Sequence, residues 1–349
     1  MILRRTLIQA GAATALAAPA LTGFAQQTIT LRFHTFVSST SGVWNNALVP
    51  WMQKVERESG NRIRFEHFPS MQMGGTPAQL FDQARDGMAD IVWTLPGNTP
   101  GRFPRSEVFE LPFMVTNADA TSRAYWDYMQ AHAADEFRGV HTIAFHVHGP
   151  GIFHVRERAI TRPDDLRGLR MRGPTRQITR LLGYLGATPV GMPLTQVPEA
   201  LSRGVIDGTL IPWEIVPSLR VHEMVRFHSE FDPAVNALYS ASFVMAMNQR
   251  RYEGLPPELK RVIDANTGLA ASAAMGAGQQ SGDAPTRRMV QQHGNRINII
   301  GAAETQEFRR QARQVEVEWV QDMDRRGFNG RELLANARRL IERHTATRA

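Results

Sequence analysis

Residues 166–219 constrain the fold more than any other stretch, because extended and helical patterns alternate along them. Residues 169–172 alternate apolar and basic side chains, as a half-buried strand does. Further extended segments begin at residues 187–190 and 205–208, and each is preceded by apolar residues at helical spacing. The order strand, helix, strand, helix, strand predicts a parallel sheet of the α/β class.

Three chemically useful side chains stand at the carboxyl ends of these predicted strands. Arg172 ends the first strand, and Trp213 and Glu214 follow the third. Ligands of parallel α/β sheets bind beyond the carboxyl ends of the strands. We therefore expect these three residues on the ligand side of the sheet.

The amino-terminal third of the chain repeats the alternation and predicts a second β-α-β-α-β unit. Such a unit has a right-handed crossover by default. The predicted strands are 29–36, 61–68 and 89–93, and the predicted helices are 44–59 and 78–87.

The rest of the chain continues with mixed elements and with no internal repeat or low-complexity linker. Residues 340–349 carry no pattern that would pack them against the other elements, so we expect them to fray. The predicted elements are a helix at 117–137, a strand at 140–148, an extended segment at 238–248 and long helices at 257–292 and 304–325.

Three short blocks, in this order and spacing, resemble the solute-binding proteins of tripartite ATP-independent periplasmic (TRAP) transporters. They are residues 168–174, 186–193 and 204–208. Residues 89–93 and 108–113 are similar to segments of the first domain of the same family. The resemblance covers about residues 28 to 325.

The resemblance implies an α/β, two-domain periplasmic-binding-protein-like fold with a cleft and interleaved domains. The first domain would hold residues 26–149 and about 238–275, and the second would hold residues 150–237 and about 276–349. A long helix near residues 257–292 would span both domains. In this family residues 238–248 correspond to a strand that returns the chain to the first domain.

The amino terminus has the pattern of a signal peptide. A basic head at residues 1–5 precedes an apolar, alanine-rich stretch at 7–21, and small residues around Ala25 offer a cleavage point. We therefore assign residues 1–25 to a leader and the mature protein to the periplasm. The pair Arg4-Arg5 resembles a twin-arginine signal, although paired basic residues also begin general secretory leaders. No other run approaches the ~18 apolar residues of a membrane span.

The composition excludes several chemistries. The absence of cysteine excludes disulfides, cysteine-bound metals and thiol nucleophiles. The formal net charge is +7, but the basic residues are interspersed with acidic ones, which does not favour a nucleic-acid partner. No serine-hydrolase, zinc-protease or phosphate-loop motif occurs, so we expect neither an enzyme nor a cofactor.

Arg172 is the strongest candidate for a ligand contact. A guanidinium is a planar fork of donors that matches a carboxylate with two parallel hydrogen bonds. The resemblance implies the same role, because the family's substrate-binding arginine falls at this position. Arg170, two residues earlier on the same strand, is expected in solvent.

Two departures from the family pattern bear on the ligand. Ile152 stands where many members carry a second arginine, and Ile211 stands where many carry an asparagine. A second ligand carboxylate buried without a partner would cost several kcal/mol. We therefore expect a monocarboxylate with an aromatic or other apolar body, not a C4 dicarboxylate.

The other candidate ligand contacts each have a structural alternative. Trp213 could stack on a ligand ring or pack at a hinge, and Glu214 could accept from a ligand hydroxyl or hold a basic residue. His148 could donate to the ligand or pack locally; it shares a strand face with His146, but no third metal ligand accompanies them. Loop residues after the first and third strands are the remaining candidates: Ser39, Thr40, Trp44 and Asn98.

The function that these features favour is a TRAP solute-binding protein that captures an organic acid and delivers it to the membrane permease. A secreted enzyme acting on an organic acid is the first alternative, and it would need a positioned acid–base pair in the cleft. A binding protein that serves a sensor kinase is the second alternative.

Overall fold

Two β-sheets organise the part of the chain that the computed structural model describes, residues 28–347. The predicted leader at residues 1–25 lies outside this range. The eleven strands are β1 Ile29–Thr35, β2 Ile63–Phe68, β3 Ile91–Thr94, β4 Val140–Val147, β5 Gly151–Val155, β6 Arg170–Gly173, β7 Thr188–Gly191, β8 Gly208–Pro212, β9 Phe227–Phe231, β10 Ser242–Asn248 and β11 Arg296–Ile300.

Twelve α-helices cover these sheets within the described range. They are α1 Val49–Glu58, α2 Leu80–Asp86, α3 Ala118–His132, α4 Arg176–Tyr184, α5 Val197–Ser202, α6 Val221–Met224, α7 Gln249–Glu253, α8 Pro257–Ala265, α9 Leu269–Gln280, α10 Asp283–Gln292, α11 Ala302–Arg325 and α12 Gly330–Ala346. This mixed α/β architecture with two sheets confirms the predicted fold class.

The first sheet has the strand order β2-β1-β3-β10-β4. Strand β1 runs parallel to β2 and β3, as the crossover pattern predicts. Strand β10 lies antiparallel between β3 and β4. The segment predicted at 238–248 therefore does return the chain to the first sheet.

The second sheet has the strand order β11-β9-β5-β8-β6-β7. Strand β6 runs parallel to β7 and β8, so the central stretch forms the parallel unit that its pattern predicts. The ends of β6 and β8 lie on the same edge, which brings Arg172 near the residues that follow β8.

The chain passes between the sheets more than once. It leaves the first sheet after β4, returns to it at β10, and re-enters the second sheet at β11. The two sheets are thus interleaved along the chain. Helix α12 packs on α3. Residues 340–346 belong to α12, and Ile341 is buried, so the expectation that this segment frays is wrong. The domain boundaries themselves stay a prediction.

The predicted helix at 257–292 is wrong as a single element, because it consists of α8, α9 and α10. The first break falls at Gly268, whose φ of +98° is outside the helical region and whose N–H donates to the carbonyl oxygen of Ile143. The second break falls at Gly282, where a Cβ would lie 2.8 Å from that of Glu214. Both bends keep the helices against the interior between the sheets.

The helix predicted at 44–59 begins as a short π-helical turn at Trp44–Leu48 and continues as α1. Pro50 stands in the first turn of α1 and has no N–H to donate to the carbonyl oxygen four residues earlier. The wider turn accommodates this missing hydrogen bond.

Helix α9 packs closely against this turn, and a Gly278→Ala substitution should therefore be costly. A Cβ at residue 278 would lie 2.4 Å from the carbonyl oxygen of Asn46, which is backbone and cannot swing away. We expect a loss of about 2–3 kcal/mol in the free energy of unfolding, measured by urea denaturation.

The matched control is Gly183→Ala in α4, where the nearest atom to a new Cβ is Cγ of Pro189 at 3.8 Å. Alanine should leave stability unchanged there or raise it by about 0.5–1 kcal/mol. Equal effects at the two positions would contradict the packing described for α9.

Candidate ligand-binding site

The guanidinium of Arg172 is buried at the carboxyl end of β6 without an acidic partner. Arg172 is 2% exposed, and no Asp or Glu among the described residues forms an ion pair with its guanidinium. Nε donates to the carbonyl oxygen of Met192 at 3.0 Å, and Nη1 donates to that of Leu210 at 3.2 Å. Burial lowers the pKa of Arg172 to about 10, so the group is still a cation at neutral pH.

A cavity lies against this guanidinium, and its wall is mostly apolar. Both sheets and the segments around them contribute to it. The lining residues are Phe36, Val37, Val43, Trp93, Leu95, Asn98, His148, Arg172, Pro174, Leu194, Leu210, Ile211, Pro212, Glu214, Ile215, Tyr239, Ala241, Phe243 and Gln279.

Three stacked rings form one side of the cavity. Trp93 lies between Phe36, at 5.3 Å between ring centroids, and Phe243, at 4.5 Å. The indole Nε1 of Trp93 donates to Nε2 of His146 at 2.7 Å, which fixes the plane of the ring. An aromatic wall of this kind suits an apolar, aromatic ligand.

Four of the eight residues predicted from sequence line this cavity: Arg172, His148, Glu214 and Asn98. The structure therefore brings together residues from β6, from the end of β4, from the end of β8 and from the segment after β3. Of the two isoleucines at the family's polar positions, Ile211 lines the cavity, whereas Ile152 is buried outside it.

The imidazole of His148 has its hydrogen bonds inside the protein. Nε2 accepts from the backbone N–H of Ala241 at 3.0 Å, so Nδ1 carries the proton and donates to the carbonyl oxygen of Gly149 at 2.5 Å. Burial lowers the pKa of His148 to about 4, which keeps it neutral. Of the two roles that the sequence left open for His148, these contacts favour local hydrogen bonding over donation to a ligand.

Glu214 joins the end of β8 to segments on the other side of the cavity. Its Oε2 accepts from the backbone N–H of Val43 at 3.1 Å, and its Oε1 accepts from Nε2 of Gln279 at 2.8 Å. Its own backbone N–H donates to Oδ1 of Asp283 at 3.0 Å. No basic side chain pairs with it in the described chain, and burial raises the pKa of Glu214 to about 7.

The raised pKa makes a prediction about pH. The folded protein holds the Glu214 proton more tightly than the unfolded chain does. The contribution of this proton to the free energy of unfolding is complete below the ordinary pKa of 4.5 and is lost as the pH rises through about 7. Glu214→Gln removes this loss. Relative to the wild type, the variant should gain about 2–3 kcal/mol in unfolding free energy between about pH 4.5 and about pH 8.

Urea denaturation of both proteins across this range measures the difference. Glutamine has one acceptor oxygen and can accept from Val43 or from Gln279 but not from both, so the variant starts from a lower stability at acidic pH. The prediction concerns only the trend with pH. A pH-independent difference between the two proteins would contradict the burial of an ionisable Glu214.

Trp213 does not line the cavity, contrary to the sequence expectation. Its indole packs against His154 and His228, and Nε1 donates to Oε2 of Glu230 at 2.9 Å. The 3₁₀ turn that follows β8 directs Glu214 towards the cavity and Trp213 away from it. The structural alternative, packing beneath the site, is the one that the geometry supports.

The loop residues after β1 also lie elsewhere. Ser39 and Thr40 are exposed, and Thr40 pairs with the hydroxyl of Ser38. Trp44 is buried against Phe33 and His67 in the first sheet's core. The π-helical start of this segment turns Trp44 inward, so it is Val43 that reaches the cavity.

Sequence reasoning missed Tyr239, Gln279 and the aromatic wall. The aromatic residues of the wall lie near strand ends that face the cavity: Phe36 after β1, Trp93 near the end of β3 and Phe243 near the start of β10. Their positions at strand ends could have identified them as candidate ligand contacts. Tyr239 lies in the irregular segment before β10 and Gln279 in the middle of a predicted helix, and neither position carries a local pattern.

Two searches of the described residues bear on other functions. Between residues 28 and 347, no three His, Asp or Glu side chains converge so that they could hold a metal ion. Within the same range, every helix is too short or too polar to cross a membrane.

Comparison with protein families gives one extensive match. The model of the bacterial extracellular solute-binding protein family 7 matches residues 33–322. This span includes both sheets, the cavity and Arg172.

Comparison with solved structures gives similar chains that hold aromatic acids. A TRAP solute-binding protein from Rhodoferax ferrireducens T118, in complex with copurified benzoate, is 59% identical, with a TM-score of 0.91 over 92% of this chain and 100% of that one. A marine metagenome TRAP protein specific for aromatic acids, with 3-hydroxybenzoate, is 41% identical, with a TM-score of 0.89 over 91% and 99%. A Bordetella bronchiseptica TRAP protein with bound mandelate is 25% identical, with a TM-score of 0.83 over 90% and 99%.

Proposed function

The chain belongs to the bacterial extracellular solute-binding protein family 7, the solute-binding proteins of TRAP transporters, and on that premise we propose that its ligand is an aromatic monocarboxylate. The observation that carries this proposal is Arg172. It is a buried cation that lacks an acidic partner in the described chain and faces a cavity walled by stacked rings.

The energetics of Arg172 favour an anionic ligand. Desolvation of an unpaired guanidinium is costly, and the two carbonyl oxygens that it contacts compensate only part of that cost. A bound carboxylate supplies the missing negative charge and accepts from the N–H groups that the carbonyls leave free. Ligand binding thus relieves a cost that the empty site bears.

The rest of the cavity favours an apolar, flat body on that carboxylate. Phe36, Trp93 and Phe243 contribute aromatic surface to its wall, and Leu210 and Ile211 contribute aliphatic surface. Benzoate and 3-hydroxybenzoate, the ligands of the two similar TRAP proteins, have this shape. Among the described residues that line the cavity, Arg172 is the one cation, because His148 is neutral, and this favours one carboxylate over two.

The two sheets would close on the ligand as the cores of two domains. Cavity residues come from both sheets, so a bound acid contacts both at once. Polar contacts also join Glu107, before α3, to helix α4. Nε of Arg176 donates to Oε1 of Glu107 at 3.2 Å, and Nε2 of Gln177 donates to Oε2 of Glu107 at 2.6 Å. Ligand binding shifts the population towards such a closed form in proportion to the contacts made only there.

Export and a permease complete the proposal. The leader pattern at residues 1–25 supports delivery to the periplasm, where the closed form would present its ligand to the membrane subunits of a TRAP transporter. Turnover of the ligand is not expected, because the hydrogen bonds of His148 and Glu214 are made within the protein.

Titration calorimetry with benzoate and succinate tests the proposal. We expect micromolar or tighter binding of benzoate and at least about 100-fold weaker binding of succinate. Incubation of the protein with benzoate, followed by chromatography, should recover the acid unchanged. Preferential succinate binding would refute the ligand class, and a new product would favour the enzyme alternative.

A further inference from the structure

The hydroxyl of Tyr239 is a buried polar group that the contacts described above leave unused. Tyr239 lines the cavity and is 0% exposed, and its hydroxyl oxygen has no hydrogen-bond partner among the described residues. Buried polar atoms of native proteins are nearly always hydrogen-bonded, so an unpaired one at a binding site calls for a partner. A ligand group in the cavity can be that partner.

The ring that carries this hydroxyl is held in one place. The backbone N–H of Gly151 donates to the carbonyl oxygen of Tyr239 at 3.1 Å. A Cβ at residue 151 would lie 2.1 Å from Cε1 of the ring, so the ring lies directly over the glycine backbone. The imidazole of His148 packs edge-on against the ring at 5.4 Å between centroids.

The ring of Tyr239 lies over Gly151, which pairs with Pro212 of β8, and Arg172 donates to Leu210 of the same strand. Both side chains therefore line the cavity beside β8. The charge of Arg172 acts to lower the pKa of the hydroxyl. Burial nevertheless raises the pKa of Tyr239 above its usual value, so the hydroxyl keeps its proton. A guanidinium has no acceptor, so Arg172 cannot satisfy that proton itself. A carboxylate has two oxygens and can accept from both groups.

We propose that Tyr239 donates its hydroxyl proton to the ligand carboxylate beside Arg172. This inference rests on the proposed function and adds a contact to the same site. A neutral donor in that place binds a single carboxylate without adding a charge that a second carboxylate could use.

Tyr239→Phe tests the contact because it removes only the hydroxyl. We expect titration calorimetry to show benzoate affinity about 10-fold or more below the wild type, as for a hydrogen bond to a charged group. The control is Tyr128→Phe, which removes another buried, unpaired hydroxyl that does not line the cavity. That variant should bind benzoate like the wild type.

Infrared spectroscopy of benzoate labelled with ¹³C in its carboxylate separates a direct contact from a packing effect. Loss of a donor should shift the carboxylate stretch of the bound ligand in Tyr239→Phe and leave it unchanged in Tyr128→Phe. If Tyr239→Phe does not fold, a crystal structure of the wild type with benzoate decides, with the hydroxyl expected within about 3 Å of a carboxylate oxygen.

Wild-type affinity and an unshifted stretch in Tyr239→Phe would overturn this inference, and so would a tyrosine hydroxyl remote from the carboxylate in the crystal. The proposed function fails separately, if the wild-type protein does not bind benzoate.

Discussion

Replacing Arg172 with methionine is expected to weaken benzoate binding by at least about 100-fold, because the ligand carboxylate would be buried without its cation. The stability of the ligand-free protein should change far less, by about 2 kcal/mol at most. Loss of the hydrogen bonds to Met192 and Leu210 is offset by removal of a desolvated charge, whose cost is seen in its lowered pKa. Titration calorimetry and urea denaturation measure the two effects.

Arg170→Met is the matched control for this prediction. Arg170 lies two residues earlier on the same strand, is exposed, and pairs with Asp207. Benzoate affinity should be unchanged in this variant. Affinities within threefold of each other for the two variants would contradict the assignment of Arg172 to the ligand.

Selectivity between one and two carboxylates is the second large effect that we expect. Benzene-1,4-dicarboxylate should bind at least about 1,000-fold more weakly than 4-nitrobenzoate, because burying a second, unpaired carboxylate costs several kcal/mol. Once Arg172 is engaged, the lining residues of the described chain offer no other cation, and Glu214 adds a negative charge when ionised. Competition against benzoate in calorimetry gives both affinities.

The nitro group is the control here, since it has the shape of a carboxylate without its charge. Weak binding of both compounds would mean that the cavity is too short for any para substituent, and the comparison would then be repeated with the meta isomers. Tight binding of the dicarboxylate would show that the charge count of the lining residues is a wrong guide to the ligand.

Most of the fold could be predicted from sequence because its elements carry local patterns. The period-two alternation at residues 169–172 and the glycines that follow the helices are local signals, and the structure places strands and turns there. The prediction of a single helix at 257–292 was wrong because the breaks between α8, α9 and α10 are set by tertiary contacts. Gly268 leaves the helix to meet Ile143, and Gly282 makes room for Glu214, and neither contact is visible in the local sequence.

Helix α12 was missed for a different reason. Leu333, Leu334, Ala337 and Ile341 recur at helical spacing and are buried. This periodicity was present in the sequence, but the prediction took account only of residues 340–349, where Ile341 is the last apolar contact. A window that included residues 330–339 would have predicted α12.

The site was predictable where position along a strand decides it, as for Arg172 at the end of β6. It was not predictable where a turn decides which of two adjacent side chains faces inward. Trp213 and Glu214 are neighbours, yet the turn after β8 sends one beneath the sheet and the other into the cavity. Tyr239 depends on a contact with Gly151, which is distant in sequence.

A crystal structure of the protein with benzoate tests the central claim most directly. We expect both carboxylate oxygens within about 3.2 Å of the guanidinium nitrogens of Arg172 and the ring against Trp93 and Phe243. Benzoate bound with its carboxylate directed away from Arg172, or bound outside this cavity, would contradict the account.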